Sequence, residues 1–490
     1  MWYGLSSIAA KFISNLVTPF LTYSHHVSKA NFGKMGYIYA AIPILNVLFT
    51  YGFETTYFRF SSREEYKKSL YSTTALSLLF STVLLTTLLW FTQSFIADLT
   101  GFTEFPKIIE YAILIIALDT LTRVPFAKLR QEGRPIKFAF INVFSIMVYV
   151  FFMWFFINYC PSVLEENPNS WIGKFYTIGT NPIVYAMLAN LIQLIVTLIL
   201  LSSEIAAIRF NFNTKLWKEM MLYALPLLVV GLGGIVNETF DRIMLKNWLP
   251  GTVEYRDEQV GIYNGCYKLS LLITIFILAF KMGAEPFFFK QAEGQNPQRT
   301  YARVMKLFVI IITFIFLVVS LYLPIWKYFL GPDYRVGITI VPILLLANMF
   351  IGIYYNLSVW YKLSNKTIAG TYITLIGTVV TCVINFFFIP KFGYMASAWA
   401  TFFCYGSMMV LSFLWGQKEY PIPYAWKKLL AYMAIVVAIF FVHKGLGLLW
   451  NNTFFSLSIA TLLILIYAWF ILLIEKKEFQ KMPVIGRFIK

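Results

Sequence analysis

The sequence predicts an all-α polytopic membrane protein with 14 transmembrane helices, and three observations carry that prediction. Of the 490 residues, 59% are hydrophobic and only 13% are charged, whereas soluble domains are about 25% charged. Apolar runs of about 18 residues or more, the length that crosses a bilayer as a helix, recur along the chain. The connections between these runs are short, so the sequence leaves no room for a soluble domain of any size.

The predicted spans follow the apolar runs in order. They lie near residues 2–23, 36–57, 70–91, 107–129, 136–158, 181–203, 216–246, 260–281, 304–327, 336–359, 367–389, 394–415, 425–445 and 453–474. An even number of crossings places both chain ends on the same side of the membrane. The first run has no basic segment before it and no small-residue cleavage site, so we expect a retained helix rather than a signal peptide.

The basic residues in the loops predict the orientation. Loops on the side of the chain ends hold 26 lysines and arginines, and the opposite loops hold 10. Cytoplasmic loops carry such an excess, so both termini are predicted to be cytoplasmic. This asymmetry explains most of the net charge of +17 without a nucleic acid partner, because the basic residues do not cluster on one polar face or tail. Anionic membrane lipids are expected partners of the basic surface.

Two segments far apart in the chain repeat one pattern. Residues 52–59 (GFETTYFR) and 283–290 (GAEPFFFK) share a glycine, a spacer, a glutamate, two variable positions, two aromatics and a cation. Residues 132–136 and 364–368 form a second pair at nearly the same offset. Internal repeats of this kind are the usual construction of secondary transporters, which hold the substrate between the two halves.

Eight charged residues fall inside the predicted spans. The basic ones are Lys11, Arg123, Arg242 and Lys268, and the acidic ones are Glu110, Asp119, Glu238 and Asp241. A charge at the bilayer centre costs at least about 2.5–3.5 kcal/mol on insertion scales, so each is expected to face protein or water. Neither Lys11 nor Lys268 has an acid three or four residues away, which favours a binding role, with an interhelical salt bridge as the alternative.

Helical spacing extends these charges into polar stripes on the first, second, seventh and eighth predicted helices. A residue four positions away lies one turn along the same face. Asn15 and Asn264 each stand one turn from a buried lysine, and Asn46 stands two turns before Glu54. We expect the stripes to line a shared central cavity. The residues predicted to bind substrate there are Lys11, Asn15, Asn46, Arg123, Arg242, Asn264 and Lys268.

Five acids are candidates for coupling or gating, and an alternative stays open at each. They are Glu54, Asp119, Glu238, Asp241 and Glu285. Asp119 stands four residues before Arg123, so a pair within one helix competes with a cavity role. Asp241 and Arg242 are adjacent and are expected to point apart, so at least one needs a partner elsewhere. Glu54 and Glu285 recur at cytoplasmic helix ends, where a structural lock to a cation competes with a gate.

Signatures of catalysis are missing from the sequence. We find no Gly-rich phosphate loop, no His-x-x-x-His or paired-cysteine metal site and no Gly-x-Ser-x-Gly elbow. The sequence therefore predicts that the protein is not an enzyme and that it uses no cofactor or metal.

Five segments carry a family resemblance. They are residues 4–7 (GLSS), 51–59 (YGFETTYFR), 241–245 (DRIML), 261–263 (GIY) and 389–401 (IPKFGYMASAWAT). In this order they resemble the bacterial polysaccharide-biosynthesis flippases of the multidrug/oligosaccharidyl-lipid/polysaccharide exporter superfamily.

The resemblance implies a fold and an activity. The fold has two pseudo-symmetric six-helix lobes, residues 1–208 and 209–417, followed by a C-terminal helix pair and tail in residues 418–490. The activity is the movement of an undecaprenyl-pyrophosphate-linked oligosaccharide across the inner membrane by alternating access, for O-antigen, capsule or exopolysaccharide biosynthesis. The cationic cavity described for the family suits the four buried bases. Other glycan-assembly membrane proteins are implied partners.

Two other functions stay open. The first is a drug/cation antiporter of the same superfamily, which would couple to H⁺ or Na⁺ through its intramembrane carboxylates. The second is a non-transporting membrane scaffold for glycan assembly. Two buried bases without a local acid favour an anionic lipid substrate over both.

Overall fold

The computed structural model describes residues 2–61, 63–291, 296–364, 366–449 and 452–480. This part of the chain is helical and contains no strand. Its helices are α1 (Trp2–Asn15), α2 (Val17–Thr22), α3 (Lys29–Thr50), α4 (Phe53–Phe60), α5 (Leu70–Phe91), α6 (Gln93–Thr100), α7 (Lys107–Gln131), α8 (Pro135–Trp154), α9 (Cys160–Glu166), α10 (Pro182–Leu200), α11 (Ser202–Ala206), α12 (Thr214–Trp248), α13 (Val253–Gln291), α14 (Pro297–Leu321), α15 (Leu323–Trp326), α16 (Val341–Leu357), α17 (Val359–Leu363), α18 (Thr367–Phe392), α19 (Tyr394–Glu419), α20 (Trp426–Leu449), α21 (Thr453–Ile474) and α22 (Lys476–Phe479).

Twelve helical segments among the described residues are long and apolar enough to cross a membrane. They are Lys29–Phe60, Leu70–Phe91, Pro135–Glu166, Pro182–Leu200, Thr214–Trp248, Val253–Ala284, Pro297–Leu321, Pro332–Leu363, Thr367–Phe392, Tyr394–Glu419, Trp426–Leu449 and Thr453–Ile474. The chain is therefore an all-helical, multi-pass membrane protein, as its composition predicts. The predicted number of 14 is not confirmed, because the first and fourth predicted spans are not among the twelve.

The fourth predicted span is helix α7, which is long enough but too charged. Every 18-residue window of Lys107–Gln131 contains at least three charged residues. Asp119 and Arg123 are among them, so the residues that suggest a site are also those that lower the hydropathy of the helix.

The first predicted span is divided into α1 and α2. Pro19 lies in α2 and lacks the N–H that would bond to the carbonyl of Asn15, the last residue of α1. Leu16, between the two helices, donates instead to the carbonyl of Ile13 at 3.0 Å. As a result α1 has only 14 residues, fewer than the roughly 20 that span a bilayer.

The first copy of the repeated segment marks the break between α3 and α4. Tyr51 and Gly52 have φ angles of +35° and +77°, which end α3. Glycine is also needed for space, since a Cβ on Gly52 would lie 3.0 Å from the Cβ of Leu227 in α12. The Tyr51 hydroxyl pairs with Ser77 at 2.9 Å, and its ring contacts Phe53 edge-on. These contacts hold a backbone conformation that residues with a side chain rarely adopt.

Contacts divide the chain into two units. The first consists of Met1–Lys268, Leu330–Gly337 and Thr371–Cys404, and the second of Leu269–Phe329, Ile338–Gly370 and Tyr405–Lys490. Every residue predicted to bind substrate belongs to the first unit. The lobe boundaries at residues 208 and 417 stay predictions.

The second unit contains a buried ionic network that joins its last helices to α14. The Glu475 side chain follows α21 and is only 3% exposed. It accepts hydrogen bonds from Lys306 at 3.0 Å and from the hydroxyl of Tyr432 at 2.7 Å. The Nζ of Lys428 lies 2.6 Å from Oε1, the oxygen that also accepts from Tyr432. Because Lys306 belongs to α14 and Lys428 to α20, one carboxylate ties three helices together.

Candidate functional site

The first polar group of the site lies between α12 and α13 and centres on Arg242. This side chain is buried, and its Nη1 donates to Asp241 Oδ1 at 3.0 Å and to the carbonyl of Glu238 at 2.9 Å. The expectation that Asp241 and Arg242 point apart is therefore wrong. A long guanidinium side chain folds back toward the N-terminal turn of its helix, where it reaches both acceptors.

Residues of α13 complete the surroundings of this ion pair. The hydroxyl of Tyr263 donates to the second oxygen of Asp241. The guanidinium of Arg242 lies 4.2 Å from the ring centroid of Tyr267, an attractive cation–π distance. Its Nε makes a long contact of 3.4 Å with Oδ1 of Asn264. Arg242 is thus held in one position by an acid, two aromatic rings and an amide.

Two lysines lie near this pair and add positive charge. The half-buried Lys268 of α13 is close enough to interact electrostatically with both Arg242 and Lys11. Within the described residues, neither Lys11 nor Lys268 makes an ion pair. Asn15 of α1 donates to the carbonyl of Lys268 at 3.5 Å, which brings the two helices together. We call Lys11, Arg242 and Lys268 the cationic group; with Asp241 it carries three positive charges and one negative.

A second polar feature is a partly open cavity of about 270 Å³ within residues 7–197. Two ion pairs lie in its wall. Nη2 of Arg130 lies 2.7 Å from Oε1 of Glu54, and Arg123 pairs with Asp119 one turn away on α7. The helix-internal alternative for Asp119 and the structural lock for Glu54 are therefore both found. We call this feature the N-terminal cavity.

The structure thus sorts the predicted residues into two sets. Lys11, Asn15, Arg242, Asn264 and Lys268 belong to the first polar group. Asn46, Glu54, Asp119 and Arg123 belong to the second, since Nδ2 of Asn46 donates to Asp119 at 2.8 Å. The side chain of Glu238 is exposed beside the first set. Glu285 lies in α13, and its side chain is outside the described residues.

Sequence reasoning missed several residues of the cavity. Asn142 on α8 and Gln193 on α10 line it, as does Arg130 near the end of α7. The two amides lie inside apolar runs, so a search for uncharged polar residues at membrane depth would have found them. Arg130 lies just beyond the predicted span 107–129, because α7 extends further than the hydropathy of the sequence indicates.

A third cluster lies at the opposite end of α3 from Gly52, and we call it the outer cluster. Asp257 has no exposed surface, and its carboxylate lies 3.1 Å from Nζ of Lys246 and 4.0 Å from Nζ of Lys34. The helices touch directly here. A Cβ on Gly33 would lie 1.7 Å from the carbonyl oxygen of Asp257, and one on Gly261 would lie 2.5 Å from that of Lys29.

A family match decides what kind of protein this is. The sequence profile of a family described as "Polysaccharide biosynthesis protein" matches residues 1–292, well over half of the chain. The chain belongs to the polysaccharide biosynthesis protein family. The resemblance carried by the five sequence segments is thereby confirmed. No curated protein has a sequence that matches this chain.

Solved structures show that this family member shares its fold with known transporters. A lipid II flippase MurJ in an inward closed conformation matches 97% of this chain and 99% of its own, with a TM-score of 0.72 and 12% identity. An inward-facing multidrug resistance MATE family transporter of the MOP superfamily matches 88% and 96%, with a TM-score of 0.60 and 14% identity. An outward-facing one matches 89% and 94%, with a TM-score of 0.58 and 15% identity.

Proposed function

We propose that this protein flips an undecaprenyl-pyrophosphate-linked oligosaccharide from the cytoplasmic to the periplasmic leaflet of the bacterial inner membrane. The observation that carries the proposal is the cationic group, in which Lys11 and Lys268 lack an ion pair among the described residues and Lys268 interacts electrostatically with both Lys11 and Arg242. An excess of positive charge at membrane depth is costly and is a mark of function. An anionic substrate group would compensate it.

A diphosphate suits this group in both charge and shape. The planar guanidinium of Arg242 is already oriented by Asp241 and Tyr267, and an arginine binds two phosphate oxygens at once. Lysine provides a compact point charge on a flexible stem, so Lys11 and Lys268 can follow the phosphates as they enter. The prenyl tail stays in lipid throughout, and the protein needs to shelter only the diphosphate and the sugars.

The same charges argue against the two other functions. A cationic drug would be repelled by a group in which three bases outnumber Asp241 and the neighbouring Glu238. A scaffold that transports nothing gains nothing from two lysines that make no ion pair with any described residue. The MurJ flippase, which shares the fold over 97% of this chain, makes a lipid-linked substrate a reasonable parallel.

The proposal includes coupling to an H⁺ or Na⁺ gradient. Of the candidate coupling acids, Asp119, Asp241 and Glu238 differ in whether they already bind an arginine. Asp119 and Asp241 each hold an arginine in place, so we assign them to positioning. Glu238 has an exposed side chain and no ion pair among the described residues. We therefore assign coupling to Glu238.

We further propose that the chain crosses the membrane 14 times, with α7 and the interrupted pair α1–α2 as the two remaining crossings. The charges that lower the hydropathy of α7 include Asp119 and Arg123, which pair with each other in the wall of the N-terminal cavity. This number agrees with the excess of basic residues in loops on the side of the chain ends, and it puts both termini in the cytoplasm.

Gene deletion tests the proposal directly. Cells without the protein should accumulate a lipid-linked oligosaccharide whose sugars face the cytoplasm. Inside-out membrane vesicles expose that leaflet, so periodate that cannot cross the membrane should oxidise the sugars in the deletion strain. Wild-type protein and the variant Lys67→Ala, which alters an exposed loop lysine, should restore export. Absence of any cytoplasmic lipid-linked oligosaccharide in the deletion strain would refute the proposal.

A further inference from the structure

We propose that the N-terminal cavity binds uncharged sugar units of the transported glycan. The inference rests on the proposed function for the presence of a glycan, and it adds a place and a preference for it. Its volume of about 270 Å³ lies just under the roughly 300–1,000 Å³ that is usual for sites of drug-sized ligands, so it suits a small ligand. Its wall offers charge, hydrogen-bonding groups and aromatic rings, and each of these constrains the ligand.

The charges of the cavity cancel locally. Glu54 pairs with Arg130 and Asp119 with Arg123, so two acids face two bases. A charged sugar entering the cavity has to compete with one of these internal ion pairs for its partner. An uncharged sugar leaves both pairs intact and still receives hydrogen bonds from their outer atoms. The cationic group, with its excess of bases, has the opposite preference.

The amides of the cavity have hydrogen-bonding capacity to spare. The Asn142 side chain has no hydrogen-bond partner among the described residues that line or adjoin the cavity. Gln193 accepts one bond at Oε1, from Nδ2 of Asn190 at 3.2 Å, and its own amide nitrogen is left to donate. An amide presents both donors and acceptors, which matches the hydroxyls of a sugar.

The hydroxyls of the cavity are arranged as acceptors. Ser7 donates to the carbonyl of Tyr3 at 2.9 Å, and Thr197 donates to that of Gln193 at 2.8 Å. Thr122 does the same toward Asp119 at 2.7 Å. Each hydroxyl proton is thereby committed to the backbone, and the oxygen lone pairs remain for a ligand that donates. Sugars carry many O–H donors on a small ring.

The apolar part of the wall completes the match. Phe126 and Phe138 line the cavity and pack against each other edge-on, with ring centroids 5.3 Å apart. Phe138 also contacts the ring of Tyr3 at 5.1 Å. Rings braced in this way offer a fixed surface to the C–H face of a sugar, while its hydroxyls reach the amides.

Titration of the purified full-length protein with soluble sugars tests this inference. The probes are three tetrasaccharides of equal length: N-acetylglucosamine units, glucosamine units that are positively charged, and galacturonate units that are negatively charged. We expect the neutral tetrasaccharide to bind at least about tenfold more tightly than either charged one. Equal binding of all three, or no binding of the neutral one, would overturn the inference.

Variants place the binding in the cavity. Gln193→Leu and Asn142→Leu each replace an amide by an apolar side chain of similar size. Each should weaken binding of the neutral tetrasaccharide about fivefold to tenfold, as expected for one lost hydrogen bond. Asn348→Leu makes the same change in the second unit, where Asn348 donates to Ser270, and should bind the sugar as wild type does. Wild-type affinity in both cavity variants would contradict the assignment.

The outcomes separate this inference from the proposed function. Sugar binding by purified protein needs no transport, whereas the deletion strain reports transport alone. If the protein binds the neutral tetrasaccharide but its deletion strain accumulates no lipid-linked glycan, the cavity assignment stands and the flippase function is refuted. If the deletion strain accumulates lipid-linked glycan but the protein does not bind the neutral sugar selectively, the flippase function stands and the cavity assignment is refuted.

Discussion

The Nζ of Lys246 lies 3.1 Å from Oδ1 of Asp257, and both side chains are almost completely buried. Lys246 lies near the end of α12 and Asp257 near the start of α13, so the pair bridges the connection between two long helices. The ammonium also lies 4.5 Å from the ring centroid of Tyr37 in α3. The loop charges of the sequence predict that this end of the helices faces the periplasm. The outer cluster therefore holds these ends of three helices together in this conformation.

Replacing Asp257 by asparagine should strongly destabilise the protein. The change leaves Lys246 buried without its acid, and removing one partner of a buried pair costs about 3–5 kcal/mol. Thermal unfolding of the purified protein measures the loss. The double variant Asp257→Asn/Lys246→Met should recover most of it, because the orphaned charge is gone. A double variant no more stable than Asp257→Asn would show that the ion pair is not what stabilises this end.

Replacing Gly33 by alanine should separate α3 from α13. The new Cβ would lie 1.7 Å from the carbonyl oxygen of Asp257, so a helix has to move, and overpacking of this kind costs about 1–3 kcal/mol or more. Gly234→Ala in α12 is the matched control, because no atom lies within 4 Å of its added Cβ. Alanine is the better helix former there, by up to about 1 kcal/mol. Equal shifts of the unfolding temperature in Gly33→Ala and Gly234→Ala would contradict the close approach of α3 to α13.

Replacing Lys11 or Arg242 by alanine should reduce glycan export, but only the change at Arg242 should destabilise the fold. Lys11 has no ion pair among the described residues, so Lys11→Ala removes a charge and leaves no acid behind. Arg242→Ala leaves Asp241 buried without its partner, which costs about 3–5 kcal/mol. Surface glycan and unfolding temperature, measured on both variants, check this difference. Wild-type export by both variants at normal protein levels would exclude the cationic group from the site.

Acid should weaken the network around Glu475. Burial alone disfavours its carboxylate, but hydrogen bonds from Lys428, Tyr432 and Lys306 outweigh burial and hold the pKa of Glu475 below its ordinary value. A lowered pKa means that this stabilisation is complete above the unfolded pKa of about 4.3 and is lost as the pH falls through the folded value.

The variant Glu475→Gln tests this dependence. It should be less stable than wild type at pH 7 by about 1–3 kcal/mol, and the gap should narrow as the pH falls below about 5. Unfolding temperatures at a series of pH values give the comparison, with Glu65→Gln, at an exposed position, as the control. A gap that stays constant down to pH 3 would remove Glu475 from the acid response.

The class of the protein could be predicted from its sequence because hydropathy and loop charge are properties of whole segments. The family could be recognised because its motifs are short and contiguous. The ends of helices could not be predicted as well. Asp257 falls outside the predicted span 260–281, yet α13 begins at Val253 and buries it, because Lys246 and Lys34 compensate a charge that hydropathy treats as solvent-exposed.

Pairings within the site depended on side-chain conformation and on distant helices. The pair between Asp119 and Arg123 follows from their spacing of four residues, and it was an open alternative. The contact between Arg242 and Asp241 does not follow from spacing, since neighbours on a helix ordinarily point apart. The amides Asn142 and Gln193 line one cavity only because α8 and α10 pack together, which no local pattern indicates.

The break after Asn15 bears on how the chain enters the membrane. Helix α1 has 14 residues and a lysine in its middle, so its insertion into lipid on its own is unfavourable. Each backbone carbonyl without a hydrogen bond in lipid costs several kcal/mol. The ring of Tyr3 in α1 contacts the ring of Phe138 in α8. Helix α8 is synthesised more than a hundred residues later. The first span is therefore expected to settle only after the fifth predicted span has arrived, so the amino terminus completes its assembly late.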